Sequence, residues 1–201
     1  IIYNHGRPII YNPNTDTDIN FESTDPDFKV IDIPQKWKDE SAVILCSKAK
    51  LIFDKQGSNL YHTESKRERI KLLDKSAVET YSEFYLRDAR QFEIKIIKSD
   101  GKEEKINAQD AIKIDDASDV SSIYGTYYVW KKGFKKLAIP NLEVGDIIDF
   151  YYTLKGVNNI SGYTYLIYDP IIFSLNKEYP VLKRTVEFTV EKGFYLNFVS
   201  S

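Results

Sequence analysis

The sequence predicts a mainly all-β protein, an antiparallel β-sandwich of many strands with one short helix near residues 76–86. Three observations carry that expectation. Short runs of β-branched and aromatic residues recur along the chain, each bounded by Gly, Pro, Asn or Asp turn signals. Aromatic residues reach 14% of the chain, with 15 Tyr and 11 Phe, a bias that favours strands. Only residues 74–86, DKSAVETYSEFYL, place apolar side chains at near-helical spacing, behind a cap at Asp74 or Ser76.

A chain of 201 residues can bury about 70% of its unfolded surface without metal or disulfide help. Its net charge of −2 argues against a general nucleic-acid binder, which would carry a basic excess or stripe. The one basic cluster is KKGFKK at 131–136, a solvated turn or, less simply, a polyanion site. No apolar stretch approaches the roughly 20 residues of a membrane span, and no charged leader with an apolar core opens the chain. It begins at Ile1 and contains no methionine, which points to a processed or excised piece of a longer polypeptide.

Taken in order, residues 1–12 set Ile pairs around His5, Gly6, Arg7 and Pro8, an edge strand or a docked arm. Residues 12–27 are acidic and turn-rich and divide an N-terminal arm and loop (1–27) from a sandwich domain (28–201). Asp16, Asp18, Asn20 and Glu22 alternate like the start of a calcium loop. Phe21 then stands where such a loop needs Gly, and Asp27 where it needs a bidentate Glu, so a polar loop and no metal is the expectation. Residues 28–33, FKVIDI, alternate as a short strand ended by Pro34, and Trp37 follows as a lid on the core.

Residues 41–54 open with an unbroken apolar run and then alternate, as a long strand buried at one end does. Cys46, the single cysteine, has no helix start and no second cysteine near it, and only His5 and His62 exist as bases; it reads as a buried structural thiol. After a KQGS turn, residues 59–63 and 66–73 read as a hairpin with His62 on its rim. Residues 89–98 and 103–106 flank Ser99-Asp100-Gly101-Lys102, a hairpin turn in which Asp-Gly supplies the positive φ. Residues 110–122 read as loop.

Residues 123–130, IYGTYYVW, are the densest aromatic stretch. In a strand, Tyr124, Tyr128 and Trp130 share one face, which is core or a platform for sugar rings or peptide. In residues 131–154 two strand-like runs flank turns at Pro140-Asn141 and Gly145-Asp146, and residues 147–154 read as a central strand, nearly free of charge. Residues 163–175 form a further strand run, and 184–191 with 194–199 a closing hairpin about Lys192-Gly193.

Four of these pieces resemble a known family: 36–45 (KWKDESAVIL), 69–74 (RIKLLD), 100–102 (DGK) and, most specifically, 137–148 (LAIPNLEVGDII). They are similar to the domain of unknown function (number 3857) that stands N-terminal to transglutaminase-like, papain-related domains in secreted proteins of Bacteroidetes. The resemblance runs from about Trp37 to the end; the segment before Phe28 has no counterpart in it. It implies a β-sandwich, export to the periplasm or cell surface, and a catalytic Cys-His-Asp domain beyond Ser201. It brings no catalytic residues and no cofactor onto this stretch.

The expected function is therefore a non-catalytic accessory domain that packs on a downstream catalytic domain of the same chain or presents substrate to it, an analogy at family level. The alternative is a stand-alone glycan- or peptide-binding module using Tyr124, Tyr128 and Trp130 beside a basic lip with Lys132 and Lys135. A hydrolase built on Cys46 and a histidine has no supporting pattern.

Overall fold

The computed structural model describes residues 19–56, 59–86, 91–114, 135–158 and 178–191. The strands are β1 (Ala42–Gln56), β2 (Asn59–Leu72), β3 (Glu83–Leu86), β4 (Gln91–Ile97), β5 (Glu103–Ile106), β6 (Ile112–Lys113), β7 (Lys135–Ala138), β8 (Ile147–Asn158) and β9 (Arg184–Val190). They form a six-stranded sheet in the order β5-β4-β8-β2-β1-β9 and a three-stranded sheet in the order β3-β7-β6. The expected β-sandwich is present. The large sheet is mixed, because β9 runs parallel to β1 while its other pairs are antiparallel.

The strand read as central is central: β8 lies between β2 and β4, and its β-branched and aromatic run is buried from Ile147 to Tyr151. The Asp-Gly hairpin joins β4 to β5 with Gly101 at φ 88°, and the amide of Gly101 donates to Lys98 O at 2.8 Å. β7 and β8 sit in different sheets, so residues 139–146 between them are a corner. The Gly145 amide donates to Leu72 O at 2.8 Å and the Leu72 amide to Asp146 O at 3.0 Å, tying that corner to the end of β2. Asp146, fully buried, accepts Lys98 Nζ at 2.7 Å and the Glu143 amide at 2.9 Å on Oδ2. Lys98, which also pairs with Glu143 at 3.2 Å, thus clips the β4–β5 turn to the β7–β8 corner.

Four local expectations need correction. Residues 59–73 are one strand, β2, paired with β1 on one side and β8 on the other, not a hairpin. The polar stretch Glu64-Ser65-Lys66 continues the ladder because its side chains find cross-strand partners: Ser65 Oγ meets Thr153 Oγ1 at 3.2 Å and Glu64 accepts the Tyr152 hydroxyl at 2.8 Å. The helix α1 spans only Lys75–Tyr81, capped by Asp74, which accepts the Ala77 amide at 2.9 Å and the Ser41 hydroxyl at 2.7 Å. Its expected second half turns at Ser82 into β3, where Glu-Phe-Tyr-Leu alternates as half-buried and buried.

Residues 28–33 form no strand. Pro26–Lys29 is a 3-10 turn capped by Asp25, and the chain beyond it is extended without a ladder among the described residues. Within the stretch read as loop, Ile112–Lys113 pairs with β7. The expectations for 1–12, 123–130, 163–175 and 194–199 lie outside the described residues.

The main core fills the space between the two sheets. Ala42, Ile44, Ile70, Leu72, Ile94, Ile96, Ile148 and Phe150 of the large sheet meet Ala77 and Tyr81 of α1, Phe84 and Leu86 of β3, and Leu137 and Ile139. Phe84 packs edge-on against Phe150 at 5.3 Å between ring centroids. Each such aliphatic side chain contributes about 1.5–3 kcal/mol by leaving water. Ordinary alternation sends Val43 and Leu45 to the opposite side, where they pack with Ile33, Trp37 and Ile147. A bulge between Ile44 and Cys46 brings Cys46 to that side as well, opposite Arg69. Trp37 is the lid the sequence suggests.

Candidate functional site

Alternation along a strand sends successive side chains to opposite faces. The face away from the second sheet carries, in neighbouring register, Lys95 of β4, Asp149 of β8, Arg69 of β2 and Cys46 of β1. The next row adds Tyr151, Arg67 and Lys48. A sheet interior thus holds Arg67, Arg69, Lys95 and Asp149, all buried.

Arg67 and Asp149 form a two-pronged pair: Arg67 Nε donates to Oδ1 at 2.9 Å and its terminal nitrogen to Oδ2 at 2.7 Å. Arg69 Nε lies 3.5 Å from the same Oδ2, already taken by Arg67, and has no hydrogen-bond partner among the described residues. Burial lowers the affinity of Arg69 for its proton, against the opposing pull of Asp149. Lys95 reaches outward to Glu103 at 2.9 and 3.0 Å.

Residues 19–29 cross this face as a strap. Ile19 and Phe28 are buried. The Arg67 guanidinium lies 4.0 Å from the Phe28 ring centroid and 5.1 Å from that of Phe21, and Lys95 Nζ is 4.9 Å from Phe21. Arg67 also donates to the Asn20 carbonyl. Lys48 pairs with Asp25 and, at 2.8 Å, with Asp27, which also takes Lys183 at 2.7 Å. Burial pushes the Asp25 carboxyl up, but the Lys48 ammonium and the Asp27 amide outweigh it and hold Asp25 below its ordinary value. Lys183 and then Lys48 do the same for Asp27. The strap is acidic and aromatic; the face beneath it is basic.

Of the residues singled out by sequence, Tyr124, Tyr128, Trp130 and Lys132 lie outside the described residues. Lys135 is exposed at the start of β7, opposite Leu86 and Lys113, while Lys136 beside it pairs with Glu83 at 2.6 Å. Asp16 and Asp18 of the calcium-like run are likewise outside; Asn20 caps the Glu22 amide at 2.8 Å, and Asp27 is engaged by lysines. No cluster of three or more metal-ligating side chains occurs among the described residues. Cys46 is fully buried, and burial pushes its thiol up to about 11, the opposite of an activated nucleophile. His62 lies over Gly156, where a Cβ would come within 2.0 Å of the imidazole ring.

Sequence reasoning missed the buried charges. The signal was there in Lys66-Arg67-Glu68-Arg69, an unbroken charged run inside a strand, with Asp149 interrupting the apolar run of β8. Alternation puts Arg67, Arg69 and Asp149 on one sheet face, which had to be covered by something able to pair with charge.

No curated protein matches the chain. A crystal structure from Parabacteroides distasonis, described as that of a "putative protease", superposes with a TM-score of 0.52 at 15% identity over 76% of this chain. The chain spans 29% of the length of that structure. At that identity the likeness speaks for the fold. The sequence model described as "Domain of Unknown Function with solved-structure structure (DUF3857)" matches residues 59–201, which takes in β2, the Asp-Gly hairpin and the 137–148 corner. The chain therefore belongs to the DUF3857 family.

Proposed function

We propose that this is a non-catalytic accessory domain of an exported protein, which packs on a transglutaminase-like or cysteine-peptidase-like domain further along the same chain or presents substrate to it. The observation that carries this reading is the 29% share of a longer, protease-named chain over which the same fold recurs. The inward, proton-holding Cys46 supports it, since a fully buried thiol that burial pushes up to about 11 is the opposite of an activated nucleophile. No helix among the described residues is long and apolar enough to cross a membrane.

The test compares the full-length protein with a version lacking residues 28–201. The proposal expects loss of stability of the remaining domain, or at least a tenfold drop in kcat/KM on protein substrates. Unchanged stability, rate and substrate range would refute it. Sequencing beyond Ser201 gives an independent check: a stop codon there would end this reading.

The second reading, a stand-alone glycan- or peptide-binding module, draws on the exposed Lys135 at the start of β7 and extends to Tyr124, Tyr128, Trp130 and Lys132. Glycan and peptide arrays on the domain, with Trp130→Ala as control, decide it. Binding that survives this substitution would count against the aromatic face.

A further inference from the structure

We infer that the basic face of the six-stranded sheet is a recognition surface for an extended acidic peptide bearing phenylalanines, supplied by a partner protein, and that residues 19–29 are its exchangeable resident. The inference does not rest on a downstream catalytic domain, so each can fail without the other.

Three observations converge. The chemistry of the occupant is written in the strap: Phe21 and Phe28 against the Arg67 guanidinium, with Asp25 and Asp27 against Lys48 and Lys183. The attachment is side-chain chemistry. No strand ladder joins residues 19–29 to the sheet, and the hydrogen bond from Arg67 to the Asn20 carbonyl is its polar tie to the buried pair. Segments held this way open at far lower free energy than ladder strands.

The second observation is the fit beneath. Arg69 is buried with Nε unpartnered among the described residues, sharing an Asp149 oxygen that Arg67 already holds. Cationic capacity is therefore left over with the strap in place, which a ligand with one more carboxylate would use. The third is the boundary of the family match. It begins at residue 59, so Arg67, Arg69, Lys95, Asp149 and Lys183 fall inside it, while the strap lies outside, as does β1 with Lys48.

The link between strap and fold permits exchange. Val30, Ile31 and Asp32 are exposed, and the Lys71 ammonium donating to Ile31 O at 3.0 Å is an exposed contact. A tether this short holds the strap at an effective concentration of about millimolar, so free peptide of equal affinity competes poorly with it. The strap must be weakened for exchange to be seen.

The experiment uses the whole chain with Phe21→Ala, Asp25→Asn and Asp27→Asn combined, leaving the buried Phe28 in place. The probe is a fluorescent peptide with the sequence of residues 19–29, followed by anisotropy. The expected result is at least tenfold tighter binding to the variant than to the unaltered protein. Binding should fall at least tenfold when Lys48→Gln and Lys183→Gln are added, or when the peptide carries Asn at both Asp positions. Should the variant fail to fold, hydrogen exchange on the unaltered protein reads the same question: excess peptide should speed exchange at residues 21–28 and leave β8 unchanged. Equal, weak binding to both proteins, strap amides that exchange only with global unfolding, or a strap-swapped dimer in place of peptide binding would each overturn the inference.

Discussion

Ile148 and Asp149 are neighbours on β8, both fully buried, and they face opposite ways. Ile148 joins the apolar layer between the two sheets, where α1 and β3 complete the packing. Asp149 joins a charged layer covered by residues 19–29. The first face stabilises the fold by removing hydrocarbon from water. The second gains little net stability, since the desolvation of buried ions offsets their attraction, yet losing one partner is costly. Its geometry is specific where the apolar face is merely cohesive. One strand thus separates the part of the molecule that holds it together from the part equipped to recognise something.

The sharpest way to break this comparison is Asp149→Ala. It leaves Arg67 and Arg69 buried beside each other and should cost about 3–5 kcal/mol by urea denaturation. It should also release the strap, seen as faster hydrogen exchange at residues 20–28. Ile148→Ala should cost about 2–5 kcal/mol through a cavity, with strap protection falling only with global stability. If both substitutions loosen the strap alike, the two faces are not separable.

Gly145→Ala should cost about 1–2 kcal/mol, because φ 98° is strained for any residue with a Cβ, while the new methyl would meet Ser99 Cβ at an ordinary van der Waals distance of 3.7 Å and so add no clash. Gly156→Ala should cost about 1 kcal/mol by pushing the His62 ring off its seat near Phe53, checked by the same denaturation.

The smallest effect is pH. Asp25 and Asp27 titrate below the ordinary value of 3.8, so their contribution is present above that value and is lost as pH falls through the lower folded values. Strap amides should lose protection below about pH 3.8 before those of β8 do. Loss that begins well above that value would show that the lysine pairs do not hold the strap.

What the sequence made legible was local. Asp-Gly at 100–101, the Asp74 cap and the nearly uncharged run of β8 each carry their signal within a few residues, and each appears in place. What it hid was set by distant partners. β2 reads as two strands until Tyr152 and Thr153 supply hydrogen bonds to Glu64 and Ser65. FKVIDI alternates like a strand, but Pro26 starts a 3-10 turn and no ladder is offered to it among the described residues. β3 was masked by its helical neighbour, since Phe84 and Tyr85 suit either spacing until Leu137 and Lys136 pair with them. The candidate site was least legible, because a charged run in a strand looks solvated unless its cover is known.

The parallel β1–β9 pair has a consequence for synthesis. Ser47 must wait for Arg184, and Phe53 for Val190, so the flank of β1 presenting Ala49, Leu51 and Phe53 leaves the ribosome long before its cover. Through that interval β1 and β2 are a hairpin with an unsatisfied apolar border, the kind of nascent edge that recruits other chains. Closure by β9 is a high-separation contact and belongs among the slow, late steps of folding. Yield of folded protein at high expression should therefore depend on β9 more than its modest share of the core suggests.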